Sequence, residues 1–270
     1  MSVITISRGS FSGGTALAAC LSERLGYRCV GRETIVERAA ASGASHQDLL
    51  DALLKPPRLL DRFKHTRYQY LALFQAALAE EVKSGKVVYH GNAGHLMLKG
   101  ARSVLRVRVV APLEKRLAKL AERLNLSSSE ALERIQREDE ERRKWTRYLY
   151  GVNWEDPVLY DVVFNLENLG IEQACRCINT LIRTCKCFDF TPECQAELED
   201  LAVGSRVRAN VALNPPTSHL EIEVLAKGGH VSISGKVTQD DEREEVERVA
   251  LAVPGVKTVN LEELIPSTQV

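Results

Sequence analysis

Residues 1–27 read MSVITISRGSFSGGTALAACLSERLGY, and this order of apolar run, small-residue loop and amphipathic stretch leaves few architectures open. Val3-Ile4-Thr5-Ile6 is β-branched throughout and suits a strand covered on both faces of a parallel sheet. Ser7 to Gly14 is too rich in Gly and Ser to extend that strand. From Thr15 the period changes: Leu17, Leu21 and Leu25 fall on one helical face, and Gly26 is placed to end the helix. A glycine-bearing turn between strand and helix is suited to holding phosphate. Its N–H groups curl around the anion, and the helix N-terminus adds unpaired donors and a partial positive charge.

The segment matches the phosphate-loop pattern G-x-x-x-x-G-K-[ST] in part. With Gly13 as the second glycine, Thr15 takes the place of the Mg2+-binding hydroxyl, Gly14 that of the lysine and Arg8 that of the first glycine. Two readings of the loop stay open on these residues, a phosphate cradle or an ordinary Gly/Ser turn. Arg8 carries a parallel choice. Its guanidinium is always charged and able to bridge two oxygens, so it can stand in for the missing lysine; otherwise it pairs with a neighbouring carboxylate.

At 270 residues the chain has room for two domains, and its 44% apolar and 27% charged residues are ordinary for a globular protein. No apolar run approaches the ~20 residues needed to cross a bilayer. The N-terminus lacks the basic start and apolar core of a signal peptide, so a cytoplasmic location is expected. Zero net charge divides into +3 over residues 1–200 and −3 over 201–270, too small an excess to point to nucleic acid. Among the cysteines, Cys20 and Cys29 read as small core residues, while Cys175, Cys177, Cys185, Cys187 and Cys194 crowd together. Zinc or an Fe–S cluster is the alternative for the crowded five. However, i and i+2 positions diverge on a helix and the C-x2-C spacing is missing, so plain thiols are expected.

Further α/β alternation follows. Tyr27–Val30, Lys86–Gly91, Val104–Val110 and Asp161–Leu166 read as strands, with Thr34–Ala41, His65–Lys83, Glu114–Leu124 and Leu169–Lys186 as helices between and after them. Ser127 and Glu130 have capping-box spacing and open a helix that runs to about Tyr148. That helix is dense in charge from Arg134 to Lys144, which reads either as a solvated face laced with i,i+4 pairs or as a cationic lid. Lys55, Arg58, Arg62, Lys64 and Arg67 offer the same choice between a solvated face and a wall over a phosphate-bearing substrate.

ISRGSFSGGTALAACLSERLG resembles the N-terminus of the cytidylate kinase-like family, a branch of the nucleoside monophosphate kinases, and the likeness runs in register to about residue 180. Ser7, Arg8, Ser12, Gly13 and Gly14 fit that family's Ile-Ser-Arg start and lysine-free loop, whereas Phe11 stands where a glycine is usual. The resemblance implies a P-loop three-layer α/β/α kinase fold over residues 1–188, with a mostly parallel five-stranded sheet and a helical lid at about 113–150. It implies ATP and Mg2+, with Gly9, Ser10, Ser12, Gly13, Gly14 and Thr15 around the nucleotide and Thr15 toward the metal. Arg8, Arg137, Arg142 and Asp139 become the expected catalytic groups, with Arg134 and Arg143 as further lid arginines. On the acceptor side Arg32 matches the family's Arg-Glu helix entry. Asn92 replaces an arginine, so it can hydrogen-bond a base or ribose but cannot form a bidentate pair with phosphate.

Composition shifts after Phe188. Residues 189–204 read as a short helical linker, and a small α+β domain is expected over 205–270. His219–Leu225 and His230–Val237 alternate around Gly228-Gly229 as a hairpin, Asp240–Val253 is helical, and Val256–Leu264 reads as a third strand. GHVSISG at 229–235 and VPGVKTV at 253–259 resemble a BON domain, which implies contact with membranes or small ligands and no catalysis. Together the resemblances imply ATP-dependent phosphoryl transfer to a nucleoside monophosphate such as CMP. The missing lysine and Asn92 favour the alternative, a non-catalytic nucleotide-binding regulator coupled to the BON-like module.

Overall fold

A computed structural model describes residues 2–41, 44–54 and 64–267. In chain order the elements are β1 (Val3–Arg8), α1 (Gly14–Leu25), β2 (Arg28–Gly31), α2 (Arg32–Ala40), α3 (His46–Leu54), α4 (Lys64–Val82), β3 (Val87–His90), α5 (Gly94–Met97), β4 (Val104–Val110), α6 (Leu113–Leu124), α7 (Ser128–Tyr150), β5 (Val162–Asn165) and α8 (Ile171–Thr184). They continue as α9 (Pro192–Leu213), β6 (Ile222–Lys227), β7 (His230–Val237), α10 (Asp240–Leu251), β8 (Thr258–Asn260) and β9 (Leu264–Pro266). Two compact units result: the β1–β5 sheet with α1 and α5–α8, and the β6–β9 sheet with α4, α9, α10, α2 from Ile35 onward and α3 as far as Ala52.

In the first unit the strands run parallel in the order β2-β3-β1-β4-β5. β1 takes the centre, as its unbroken β-branched run requires, and Val3 to Ser7 are all buried. Ile4 and Ile6 join Leu17 and Leu21 of α1 and Ala174 and Ile178 of α8 in one core. Parallel strands finish on the same edge of the sheet. Arg8, Gly31, His90 and Val110 end their strands there, so the connections that follow them gather at the carboxyl edge, where open α/β sheets bind ligands. α6 and α7 pair around Leu120, Ala131 and Ile135. The capping box forms: the Ser127 hydroxyl accepts from the Glu130 N–H at 3.3 Å, and the Glu130 carboxylate accepts from the Ser127 N–H at 2.9 Å.

Cysteine pairing departs from the expected thiols. Cys20 of α1 is bonded to Cys175 of α8 and Cys185 to Cys187, while Cys29, Cys177 and Cys194 take part in no disulfide among the described residues. Cys20 and Cys175 lie 155 residues apart and meet only because α1 packs on α8, which brings their Cα atoms to 6.3 Å, within bridging range. No metal-holding group of His, Cys, Asp and Glu forms among the described residues.

In the second unit β6 and β7 form an antiparallel hairpin that closes at Lys227 and His230, with Gly228 and Gly229 both at positive φ. The stretch expected as a single third strand divides in two. β8 pairs parallel with the first half of β7 and β9 with its second half. Val207 and Val211 of α9, Ile222, Val231 and Ile233 of the sheet, and Val246 and Ala250 of α10 share one core. α9 starts on its Thr191 cap and continues unbroken to Leu213, through the stretch read as a linker and into the residues expected of the C-terminal domain. α4 packs along it. Arg206 pairs with Glu80, Arg208 donates to Tyr68 Oη at 2.8 Å and to Gln75 Oε1 at 3.1 Å, and the Tyr68 hydroxyl meets both the carbonyl and the N–H of Ile222. Among the described residues, no helix is long and apolar enough to cross a membrane.

Candidate functional site

The loop between β1 and α1 carries its own internal order. The Gly9 carbonyl accepts from the Ser12 hydroxyl at 2.6 Å and from the Ser12 N–H at 3.3 Å. Gly13 holds φ at +94°, which a residue with a Cβ adopts only under strain. α1 then opens with no side-chain cap and no acidic residue in its first turn, so its first N–H groups and positive pole remain available to an anion. Thr15 is exposed at this helix start.

Arg8 leaves β1 and lies across the same helix start. A Cβ added at Gly14 would overlap the Arg8 Cδ, so the position that carries lysine in the standard pattern is filled by methylenes of an arginine from the strand. Arg8 Nε is buried without a hydrogen-bond partner, and burial followed by the charge of Arg32 lowers the Arg8 pKa. Arg32 Nε is buried and unpartnered too, although its Nη2 donates to Glu33 at 2.8 Å. Ser10 Oγ and His90 Nδ1 belong to the same class of buried polar atoms without a partner. Burial first and Arg8 second hold His90 below its usual pKa, a shift that favours the neutral imidazole.

Lid residues close the other side. Arg116 of α6 donates from Nε to the Ser10 carbonyl at 2.7 Å and from Nη2 to Asp139 Oδ2 at 2.5 Å. Asp139 Oδ1 accepts from the Ser10 N–H and from Arg142 Nη1, each at 3.3 Å. One carboxylate thus ties two lid arginines to the loop. Burial pulls the Arg142 pKa down to about 10, with Asp139 opposing that shift and Arg8 and Arg116 contributing to it. Phe11, held at a φ of +61°, packs against the Leu120–Ala131–Ile135 cluster. Its left-handed backbone costs about 1–2 kcal/mol, which burial of a large ring against the lid offsets.

Of the expected site residues, Arg8, Gly9, Ser10, Ser12, Gly13, Gly14, Arg32, Asp139 and Arg142 lie at this edge. Arg137 is exposed on α7, while Arg134 pairs with Glu138 at 3.0 Å and Arg143 with Glu155 at 3.1 Å. Asn92 follows β3 in a bend shaped by Tyr89, whose ring fills the space a Cβ at Gly91 or Gly94 would need. The side chains of Lys55, Arg58, Arg62, Lys64 and Arg67 lie outside the described residues. Arg116 and His90 were not anticipated. Arg116 looks like any polar-face residue of an amphipathic helix, and its one signal is its place in the first turns after β4. The buried N–H groups and uncapped helix start fit a polyphosphate. Mg2+ would be held through phosphate oxygens, with the Thr15 hydroxyl as its protein ligand.

The sequence profile of the cytidylate kinase-like family matches residues 3–168, and that of the BON domain matches residues 199–262. A cytidylate kinase from Ignicoccus hospitalis is 29% identical over 188 residues, covering 67% of this chain and 99% of its own. Another, from Methanothrix thermoacetophila, is 31% identical over 166 residues, covering 60% of this chain and 87% of its own. Among solved structures, an uncharacterized protein from Eubacterium ventriosum aligns over 68% of this chain and 100% of its own, with a TM-score of 0.53 at 17% identity, a likeness of fold. The first profile runs from β1 through the lid to the end of β5, more than half of all residues, and so the chain belongs to the cytidylate kinase-like family and carries a BON domain C-terminal to that region.

Proposed function

We propose that this chain transfers the γ-phosphoryl group of ATP to a nucleoside monophosphate in the cytoplasm, with CMP or dCMP as acceptor. The observation that carries this reading is the gathering of Arg8, Arg32, Arg116 and Arg142 around one glycine loop, two of them with a buried, unpartnered Nε. Guanidiniums this close repel one another, and burial adds a desolvation penalty. Among the described residues Asp139 and Glu33 pair with these cations, and Glu138, shared with Arg134, adds its charge near Arg8 and Arg142, so three carboxylates face the four guanidiniums. An anionic ligand supplies the remaining compensation.

ATP with Mg2+ brings the transferable group and part of the neutralising charge. In the transfer an acceptor phosphate oxygen bonds to the γ-phosphorus as the β–γ bridging P–O bond breaks, and ADP leaves with that electron pair. The chain's contribution is position and charge. Loop N–H groups and the start of α1 hold the donor phosphates. Arg8 serves as the fixed cation in place of lysine, Arg116 and Arg142 act on the developing charge, and Asp139 orients both. Arg32 and Asn92 meet the acceptor, Arg32 by charge and Asn92 through base or ribose. The BON module serves contact with a membrane or a small ligand.

A coupled assay with ATP, Mg2+ and CMP, dCMP, UMP, AMP or GMP tests the reading, and turnover is expected to be highest with a cytidine acceptor. Gly14 and Asn92 favour a second reading, a nucleotide-binding regulator. It prevails if ATP binds by calorimetry and no monophosphate is turned over.

A further inference from the structure

Trp154 lies in the return from α7 to β5 and is 2% exposed. Two guanidiniums rest against its ring, Arg108 of β4 at 4.1 Å from the centroid and Arg142 of α7 at 5.1 Å. Its main chain is pinned as well. The Trp154 carbonyl accepts from Arg108 Nη1 at 2.7 Å and from the Tyr160 hydroxyl at 2.6 Å. The same Tyr160 hydroxyl also reaches the Ser7 Oγ, 3.1 Å away at the end of β1, so its one proton serves both acceptors. The contacts close a circuit. From Ser7 they pass through Tyr160, Trp154, Arg142 and Asp139 to the Ser10 N–H, starting and finishing at the phosphate loop.

Packing alone does not account for an indole at this place. The Trp154 N–H is buried with no partner, a penalty that phenylalanine would avoid. What indole supplies in exchange is the strongest cation-binding face among the side chains, and its attraction grows when the cation has lost its water. Arg142 is such a cation, and it shares the carboxylate it pairs with, Asp139, with Arg116. Arg108, held by the Trp154 carbonyl, fixes the ring from the sheet side.

We propose that Trp154 is a positioning residue that sets the Arg142 guanidinium against the phosphate loop for phosphoryl transfer. This role rests on the phosphoryl-transfer reading of the site. Trp154 itself touches no reacting atom in that scheme, and it acts through Arg142.

The test uses the full chain and a double-mutant cycle. Trp154→Leu, which removes the aromatic face, is expected to lower kcat by about 10- to 100-fold, the scale of a small misplacement at the reacting centre. KM for ATP and acceptor should stay within about threefold, as for a group that acts in the transition state. Trp154→Phe, with a weaker cation-binding face, should recover most of the loss. On an Arg142→Ala background Trp154→Leu should have no further effect, since the group it positions is gone. Equal losses on both backgrounds, or a lowered melting temperature with kcat intact, overturn the proposal. If Trp154→Leu does not fold, Trp154→Met, which keeps apolar volume without an aromatic face, carries the comparison in the same cycle. A wild-type chain that turns over no monophosphate fails the phosphoryl-transfer reading itself, an outcome distinct from additivity in an active enzyme.

Discussion

Arg8 and Gly14 are two sides of one arrangement, because the side chain that leaves β1 takes the space a lysine stem would need at the start of α1. Removing Arg8 should therefore cost turnover without costing the fold. Arg8→Ala is expected to lower kcat by about 10²–10³-fold, the scale for loss of one preorganised charge-stabilising group, with an unchanged far-UV spectrum. Gly14→Lys alone should also be harmed, since its stem overlaps Arg8. The pair Arg8→Gly with Gly14→Lys rebuilds G-x-x-x-x-G-K-T over residues 8–15 and should recover much of the rate. An Arg8→Ala protein with wild-type kcat would remove Arg8 from the mechanism. The position of Arg8 beside the loop could be read from the sequence because the two are adjacent in it. That of Arg116 could not, because it meets Ser10 across 106 residues and Asp139 across 23, separations that periodicity cannot bridge.

Elements were more legible than the contacts between them. Buried parallel strands announce themselves as β-branched runs, and the α7 capping box is a local chemical pattern, so both could be read directly. The split of the last strand is local too, but it was hidden by alternation on either side: the Asn260 side chain accepts from the Glu262 N–H at 2.7 Å and turns the chain between β8 and β9. α5 was missed because it is only four residues long, yet it brings a titratable group into the core. His95 of α5 is 5% exposed, stacks 4.7 Å from the Tyr160 ring, and has its pKa pushed down to about 4, by burial first and then by Arg106 and Arg108 of β4. The folded state thus keeps His95 neutral while the unfolded chain, with a pKa near 6.5, takes up a proton. Between these values the unfolded state binds more protons, so this contribution is complete above pH 6.5 and is lost as pH falls toward 4. At about 1.4 kcal/mol per pKa unit, the loss amounts to roughly 3 kcal/mol over the whole window. Urea unfolding at pH 7.5 and 5 should show a fall in stability that His95→Gln reduces. Equal pH dependence in the two proteins would remove His95 as its source.

At the scale of the whole molecule, the change in composition near residue 190 reads as a single boundary, whereas the two compact units each draw on more than one stretch of chain. α4 precedes β3 in sequence, yet it shares a compact unit with α9 and the β6–β9 sheet. The signal was unreadable because it lies in pairs such as Tyr68 with Arg208, separated by 140 residues and individually unremarkable. Gly204 and Ser205 likewise look like a break in the sequence, whereas α9 passes straight through them with both residues buried. Tyr68 is where this attachment can be tested. Its single hydroxyl donates to the Ile222 carbonyl and accepts from the Ile222 N–H at 3.0 Å and from Arg208 Nε at 2.8 Å. β6 is an edge strand, so Ile222 has no neighbouring strand on that side to replace those bonds. Tyr68→Phe keeps the ring under Arg208 and removes the oxygen, leaving the strand end without those bonds and Arg208 with Gln75 and the ring face. The cost should be about 1–3 kcal/mol, the penalty for part-buried polar groups left unsatisfied. Because a chain of two units need not unfold in one step, hydrogen exchange is the better measure than a melting temperature. Amides of β6 should exchange faster in Tyr68→Phe by roughly the factor that energy implies, about 5- to 150-fold. Those of β1 and β4 should keep their protection. Unchanged exchange in β6 would mean that α4 rests against the C-terminal sheet without holding its edge.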